Sequence, residues 1–423
     1  MELARRLGTG DAVVIGLGSM IGAGVFAAFA PAAAAAGTGL LVGLALAGVV
    51  AYCNATSSAA LAARYPTSGG TYVYGRERLG HWWGFTAGWG FVIGKTASCA
   101  AMALTFASYA AREWARPLAA AAVLAFTVVN YFGVTKTARL ARILLAVTLL
   151  ALAAVGVAMV GGGLISVEHL GDTGAWTSGG VLGILQAAGL LFFAFAGYAR
   201  IATMGEEVRD PERTIPRAIP LALALALVAY ACVGVGLLLT LGPTTLAGSA
   251  APLADASAAG QLSWLTPAAR VGAAVASLGA LLALITGIGR TTLAMARNND
   301  LPGWLAGVHP RHQVPHRAEI VLGVVVCGLV LTLDVRGAIG FSSFGVLVYY
   351  ALANASAFTL PPDQRHMRRW LPVLGFVGCL TLAATLPWTS VVSGLAVFAL
   401  GLAGRWTVLR IKRVPRGART SGS

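Results

Sequence analysis

The chain has 423 residues, 57% of them hydrophobic and only 11% charged, with a mean hydropathy of +0.78. A soluble domain carries about a quarter charged residues, so polar side chains are too few to cover a water-exposed surface and lipid must be part of the solvent. A formal net charge of +15, from 30 Lys and Arg against 15 Asp and Glu, would suggest nucleic acid on a soluble protein. Here its distribution marks topology, and no nucleic-acid partner is implied.

Arg5 and Arg6 ahead of an apolar run imitate a signal peptide. The further apolar spans make a cleaved leader unnecessary for an inner-membrane protein. A helix crossing the ~30 Å hydrocarbon core needs about 20 mainly apolar residues. On that basis the sequence predicts twelve spans, at about 11–36, 39–63, 82–111, 117–134, 139–163, 180–204, 216–241, 267–296, 319–335, 337–359, 370–387 and 389–409. The runs are long, unalternating and rich in Ala and Leu, which argues for helices and against strands. The fold class is therefore all-α and polytopic.

An even number of spans puts both termini on one side. With that side cytoplasmic, every Lys and Arg falls on it except Arg112, Arg116, Arg270 and Arg336 on the opposite face and Lys95 and Arg200 inside spans. The positive-inside rule then predicts a multi-pass protein of the cytoplasmic membrane with both ends in the cytoplasm. Cys53, Cys99, Cys232, Cys327 and Cys379 all lie in apolar runs and read as small buried thiols.

The first span contains Gly16, Gly18, Gly22 and Gly24, a poor way to build a continuous helix, since each costs up to ~1 kcal/mol against Ala. Glycine lets backbone unwind and approach a ligand, and in lipid such backbone is tolerated only inside protein or along a cavity. Small-residue packing from Gly18 to Gly22 is the competing reading. The sixth span offers a partner in Phe192-Phe193-Ala194-Phe195-Ala196-Gly197-Tyr198-Ala199-Arg200, with aromatics, a glycine and a charge at mid-span. Interrupted segments at corresponding places in two halves point to a secondary-transporter site. Five spans separate them, an odd number, so the second repeat would be inverted. The domains expected are 1–163 and 180–359 as inverted repeats, two further spans over 370–409, and a basic tail over 410–423.

Four stretches carry a specific resemblance: Gly22-Ala23-Gly24-Val25-Phe26; Tyr65-Pro66-Thr67-Ser68-Gly69-Gly70-Thr71-Tyr72-Val73-Tyr74; Phe192 to Gly197 with Glu206-Glu207-Val208-Arg209-Asp210-Pro211; and Ala294-Met295-Ala296-Arg297 leading to Leu301-Pro302. With them the chain resembles the amino acid–polyamine–organocation transporters, which implies a LeuT-type fold and an amino acid substrate. The same resemblance implies that N–H groups near Ala23 and Gly24 take the substrate carboxylate. The carbonyls of Met20, Phe193 and Ala196 would take its ammonium, with Ile21, Gly22 and Gly197 at the breaks. Tyr198 or Phe195 would close over it, whereas Phe192 reads as packing.

Lys95 lies mid-span, where a charge costs at least ~2.5 kcal/mol and rarely occurs without a function. Unlike arginine, a buried lysine can release its proton, so Lys95 is the candidate for proton coupling, against a structural ammonium on broken-helix carbonyls. The resemblance would put a coupling lysine in the fifth span, where Thr148 stands instead. Arg200, Glu206 and Glu207 are candidate substrate or gate residues, the two glutamates pairing with Arg64 or Arg297. No Asp or Glu sits mid-span, which predicts neutral or acidic substrates over cationic ones. His309, His312 and His316 lack accompanying Cys or acids, so no metal is expected, and neither is a cofactor. No HExxH, GxSxG or P-loop points to an enzyme. A proton-coupled carrier is thus expected, with an exchanger or a non-transporting sensor as alternatives.

Overall fold

The computed structural model describes residues 7–65, 69–133, 138–171, 179–202, 208–362 and 367–413. Among these residues the regular elements are helices, and β contact is confined to a parallel bridge between Leu7 and Val208. The chain is an all-α polytopic membrane protein. The helices follow the predicted spans in order. α1 (Thr9–Met20), α2 (Ala23–Ala27) and α3 (Phe29–Ala36) make the first, and α4 (Leu40–Arg64) the second. A short helix, α5 (Thr71–Leu79), leads into α6 (His81–Ala110), and α7 (Ala115–Tyr131) and α8 (Ala138–Gly161) follow. After the single turn α9 (Glu168–Gly171), the sixth span is α10 (Gly180–Phe195) and α11 (Ala199–Ala202). Then come α12 (Pro211–Gly248), the short α13 (Pro252–Ala259), α14 (Thr266–Arg297), α15 (His316–Thr332), α16 (Val335–Phe358), α17 (Trp370–Thr385) and α18 (Trp388–Arg413).

Nine stretches of the described residues are long and apolar enough to cross a membrane. The other three predicted spans are α7 and α15, of 17 residues each, and α17, of 16. Helices of that length rise only about 24 to 26 Å, so the count of twelve rests on them. α12 kinks within its length at Gly242, whose φ of 71° is not helical, with Pro243 following.

α6 and α16 form the buried centre and pack on each other, with α14 on α6 and with α4 against α10 and α12. α18 lies at the periphery and leaves Val392, Leu395 and Leu400 exposed, as a lipid-facing helix does. A polar knot crosses the apolar core. Asn354 Nδ2 donates to Asn54 Oδ1 (2.6 Å), and Ser57 Oγ donates to Asn354 Oδ1 (2.7 Å), tying α4 to α16. The cysteine reading needs correction. Cys53, Cys99 and Cys379 are buried, but Cys232 is exposed and Cys327 half-buried. An apolar run does not distinguish a side chain packed on protein from one packed on lipid.

Candidate functional site

The first span breaks over two residues. α1 ends at Met20, and Ile21 (φ −76°, ψ 49°) turns its N–H back to Leu17 O at 2.7 Å. Gly22 (φ −97°, ψ −140°) then redirects the chain, so that Ala23, Gly24 and Val25 form the first turn of α2. The four glycines divide their work. Only Gly22 lies in the break, with a built Cβ 3.2 Å from Ala280 Cβ on α14. Gly16 and Gly24 sit in helix against close neighbours: backbone for Gly24, and for Gly16 the movable end of the Ile201 side chain. A Cβ on Gly16 would stand 2.2 Å from Ile201 Cδ1, and one on Gly24 would stand 2.6 Å from Ala194 Cα. Gly18 meets only Leu145, at 3.7 Å, so the Gly18–Gly22 packing reading is not the pair that matters.

The sixth span breaks after Phe195, where Ala196–Tyr198 tighten into a 3₁₀ turn before α11. A tightened turn satisfies some of the carbonyls a helix end leaves open. Here the Ala196 N–H donates to Phe193 O. The two breaks lie against each other: a Cβ on Gly197 would be 2.3 Å from Ser19 O and 2.6 Å from Met20 N. Tyr230 of α12 spans them, its hydroxyl 2.6 Å from Met20 O and 2.9 Å from Ala194 O. Its ring meets Phe195 edge-on at 5.0 Å.

Lys95 is brought to the same place. It is 7% exposed on α6, and Nζ donates to Ala196 O at 3.2 Å. Tyr350 of α16 donates to that carbonyl at 3.3 Å. Lys95 has no ion-pair partner among the described residues. The three carbonyls expected for a substrate ammonium therefore each hold a protein donor, namely Tyr230 on Met20, Ala196 N–H on Phe193, and Lys95 with Tyr350 on Ala196. Carbonyl oxygens have two lone pairs, so Met20 and Phe193 keep acceptor capacity. Tyr198 is fully buried and stacks on Tyr350 at 5.0 Å, and Phe192 meets the same ring edge-on at 5.8 Å. Phe26 of the glycine motif is fixed from α6 by Tyr109, whose hydroxyl donates to Phe26 O at 2.9 Å.

Arg200 is half-buried on α11. Thr148 Oγ1 donates to Leu144 O of its own helix at 2.8 Å. Glu206 and Glu207 lie outside the described residues. Among the described residues no group of three His, Cys, Asp or Glu could hold a metal.

Sequence reasoning missed a second centre at the basic end of the bundle. Asp300, in the turn after α14, accepts from Tyr72 Oη (2.7 Å) and Arg76 Nη1 (2.7 Å) on α5 and pairs with Arg405 Nη2 (2.8 Å) on α18. Arg405 also donates to His81 O (2.6 Å) and lies over the Trp82 and Phe85 rings. Burial and then the bond to Asp300 push the Tyr72 phenol well above its ordinary pKa. The signal was present in part. Tyr72 and the Leu301-Pro302 pair beside Asp300 stand in motifs read separately. Tyr230, Tyr350 and Arg405 carry no local signal.

Residues 11–414 match the family model described as amino acid permease. The chain belongs to the amino acid permease family. An uncharacterized transporter of Mycobacterium tuberculosis is 62% identical over 422 residues, covering all of this permease and 94% of the relative. A branched-chain amino acid permease of Bacillus subtilis is 25% identical over 95% of this chain and 92% of its own. A chloroplastic cationic amino acid transporter of Arabidopsis thaliana is 28% identical over 93% and 72% respectively. This permease is accordingly a multi-pass amino acid transporter and not an enzyme.

Proposed function

We propose that this permease carries neutral or acidic amino acids in preference to cationic ones across the cytoplasmic membrane, by alternating access and coupled to a proton gradient. One observation carries the reading: the breaks of the first and sixth spans meet, and the buried ammonium of Lys95 stands on the Ala196 carbonyl between them. A zwitterion suits such a place, because the start of α2 presents N–H groups to a carboxylate and the end of α1 presents carbonyls to an ammonium. A second ammonium on the substrate side chain would face Lys95 with no carboxylate to offset it, which disfavours arginine, lysine and polyamines. The relatives' names include both branched-chain and cationic substrates, and Lys95 is the reason for choosing the first. The placing of both termini in the cytoplasm rests on the sorting of Lys and Arg, and the five-plus-five inverted repeat rests on the spacing of the two broken spans.

Competition in proteoliposomes tests the substrate class. Uptake of a labelled branched-chain amino acid should be inhibited by other neutral amino acids and not by arginine or putrescine. Inhibition by the cations alone would overturn it. Accumulation driven by an imposed pH gradient tests the coupling, and equal uptake with the gradient collapsed would remove it.

A further inference from the structure

Away from the transport site, α7, α14 and α15 enclose a junction with orphaned polar atoms. Glu319 stands in the first turn of α15 and is 1% exposed, yet its Oε2 has no hydrogen-bond partner among the described residues. Asn130 of α7 is 3% exposed. Its Oδ1 accepts from Thr286 Oγ1 at 3.1 Å, while its Nδ2 is orphaned. His316 Nδ1, three residues before Glu319 and so on the same helix face, is orphaned too.

Three contacts put these groups at one level. A Cβ on Gly323 would touch Thr127 Oγ1 at 2.6 Å, and the His316 ring lies 6.1 Å from that of Tyr131. α7 therefore ascends where α15 descends, which puts Asn130 and Glu319 at one level of the bundle. From α14, one turn beyond Thr286, Gly289 opens the space: a Cβ there would stand 3.1 Å from Glu319 Cγ and 3.3 Å from Oε1. α14 brings Arg290, which is exposed yet near enough to favour the charged carboxylate, against the burial that disfavours it. On α15, Arg317 turns away to donate to Trp304 O at 3.3 Å. The end of α7 brings only the Tyr131 phenol. α6 carries Lys95 as its one Lys, Arg, Asp or Glu, and that ammonium is on Ala196 O. Glu319 forms no ion pair among the described residues.

A carboxylate taken out of water with an oxygen left bare is strongly disfavoured, and neutralisation by a proton is the usual remedy. We propose that Glu319 is a proton-binding site of this permease, filled and emptied from the basic end of the bundle through His316. The route is laid out in rings. His316 lies 5.4 Å from His309, and His309 lies 4.7 Å from His312, in the loop ahead of α15. A proton from loop water passes to the imidazole of His316 and then to Oε2. Only N–H and O–H bonds form and break, and the product is a neutral carboxylic acid.

Infrared difference spectroscopy of the purified protein tests this without reference to transport. A pH step should raise and remove a carboxylic acid C=O band in the wild type, and the band should be missing from Glu319→Gln. The uptake arm rests on the proposed transport function: Glu319→Gln should lose the dependence of uptake on internal pH, and His316→Phe should slow the band's response to the step. A wild type with no titrating carboxylic acid band overturns the site even should the variant fail to fold, and so does a band that persists in Glu319→Gln. A response that follows sodium at fixed pH overturns it as well.

Discussion

Gly197 and Ser19, 178 positions apart, meet backbone to backbone, with room for no Cβ at Gly197. Gly197→Ala should therefore force the two broken helices apart, destabilising the protein by about 1–3 kcal/mol and abolishing uptake. Gly156→Ala on α8, where a Cβ meets nothing within 4 Å, is the control and should be neutral or stabilise by up to ~1 kcal/mol. Thermal unfolding in detergent, followed by uptake, separates the two. Equal melting of both variants would show that the crossing tolerates a side chain.

Tyr230→Phe removes the hydroxyl shared by Met20 O and Ala194 O while keeping the ring against Phe195. Two buried carbonyls then lose a donor, a cost of about 1–3 kcal/mol. The loss should appear in KM for uptake more than in maximal rate, because Met20 O faces the break where substrate is proposed to sit. An unchanged KM would place the substrate elsewhere.

Lys95 separates charge from proton release. Lys95→Arg keeps a cation but one that cannot let go of its proton, whereas Lys95→Met removes both. Both variants should lose accumulation driven by a pH gradient. Substrate binding, read by thermal shift with a neutral amino acid, should weaken in each, since the Ala196 O contact changes. Full gradient-driven accumulation by Lys95→Met would make the residue a structural ammonium.

Asp300 neutralises two guanidinium groups. Asp300→Asn leaves Arg405 buried and unpaired, which should cost about 3–5 kcal/mol. Adding Arg405→Met should recover part of the loss, because the stranded charge is gone. A double-mutant cycle by thermal unfolding reads the coupling. Strict additivity would mean that the pair contributes nothing.

Several of these features are legible in the sequence. The four glycines from Gly16 to Gly24 mark the first broken span, the stretch from Phe192 to Arg200 marks the second, and Lys95 is conspicuous as a cation in an apolar run. Such signals are local: hydropathy, backbone cost and the penalty of a buried charge are set by residue type along a few turns. Gly16 and Gly24 were misread as unwinding residues for the same reason. A glycine serving a helix crossing looks identical in sequence to one serving a break.

The sequence by itself determined an all-helical membrane protein, the order of its helices and the two places where they break, because lipid forces each span to declare itself in composition. Only the tertiary structure decided which groups meet: Lys95 on Ala196 O, Tyr230 across both breaks, Arg405 on Asp300, and Glu319 sealed between α7, α14 and α15. Those contacts join residues up to 210 positions apart. In a chain whose outside is as apolar as its inside, the pattern along one helix does not say which face meets protein and which meets lipid; helix packing does.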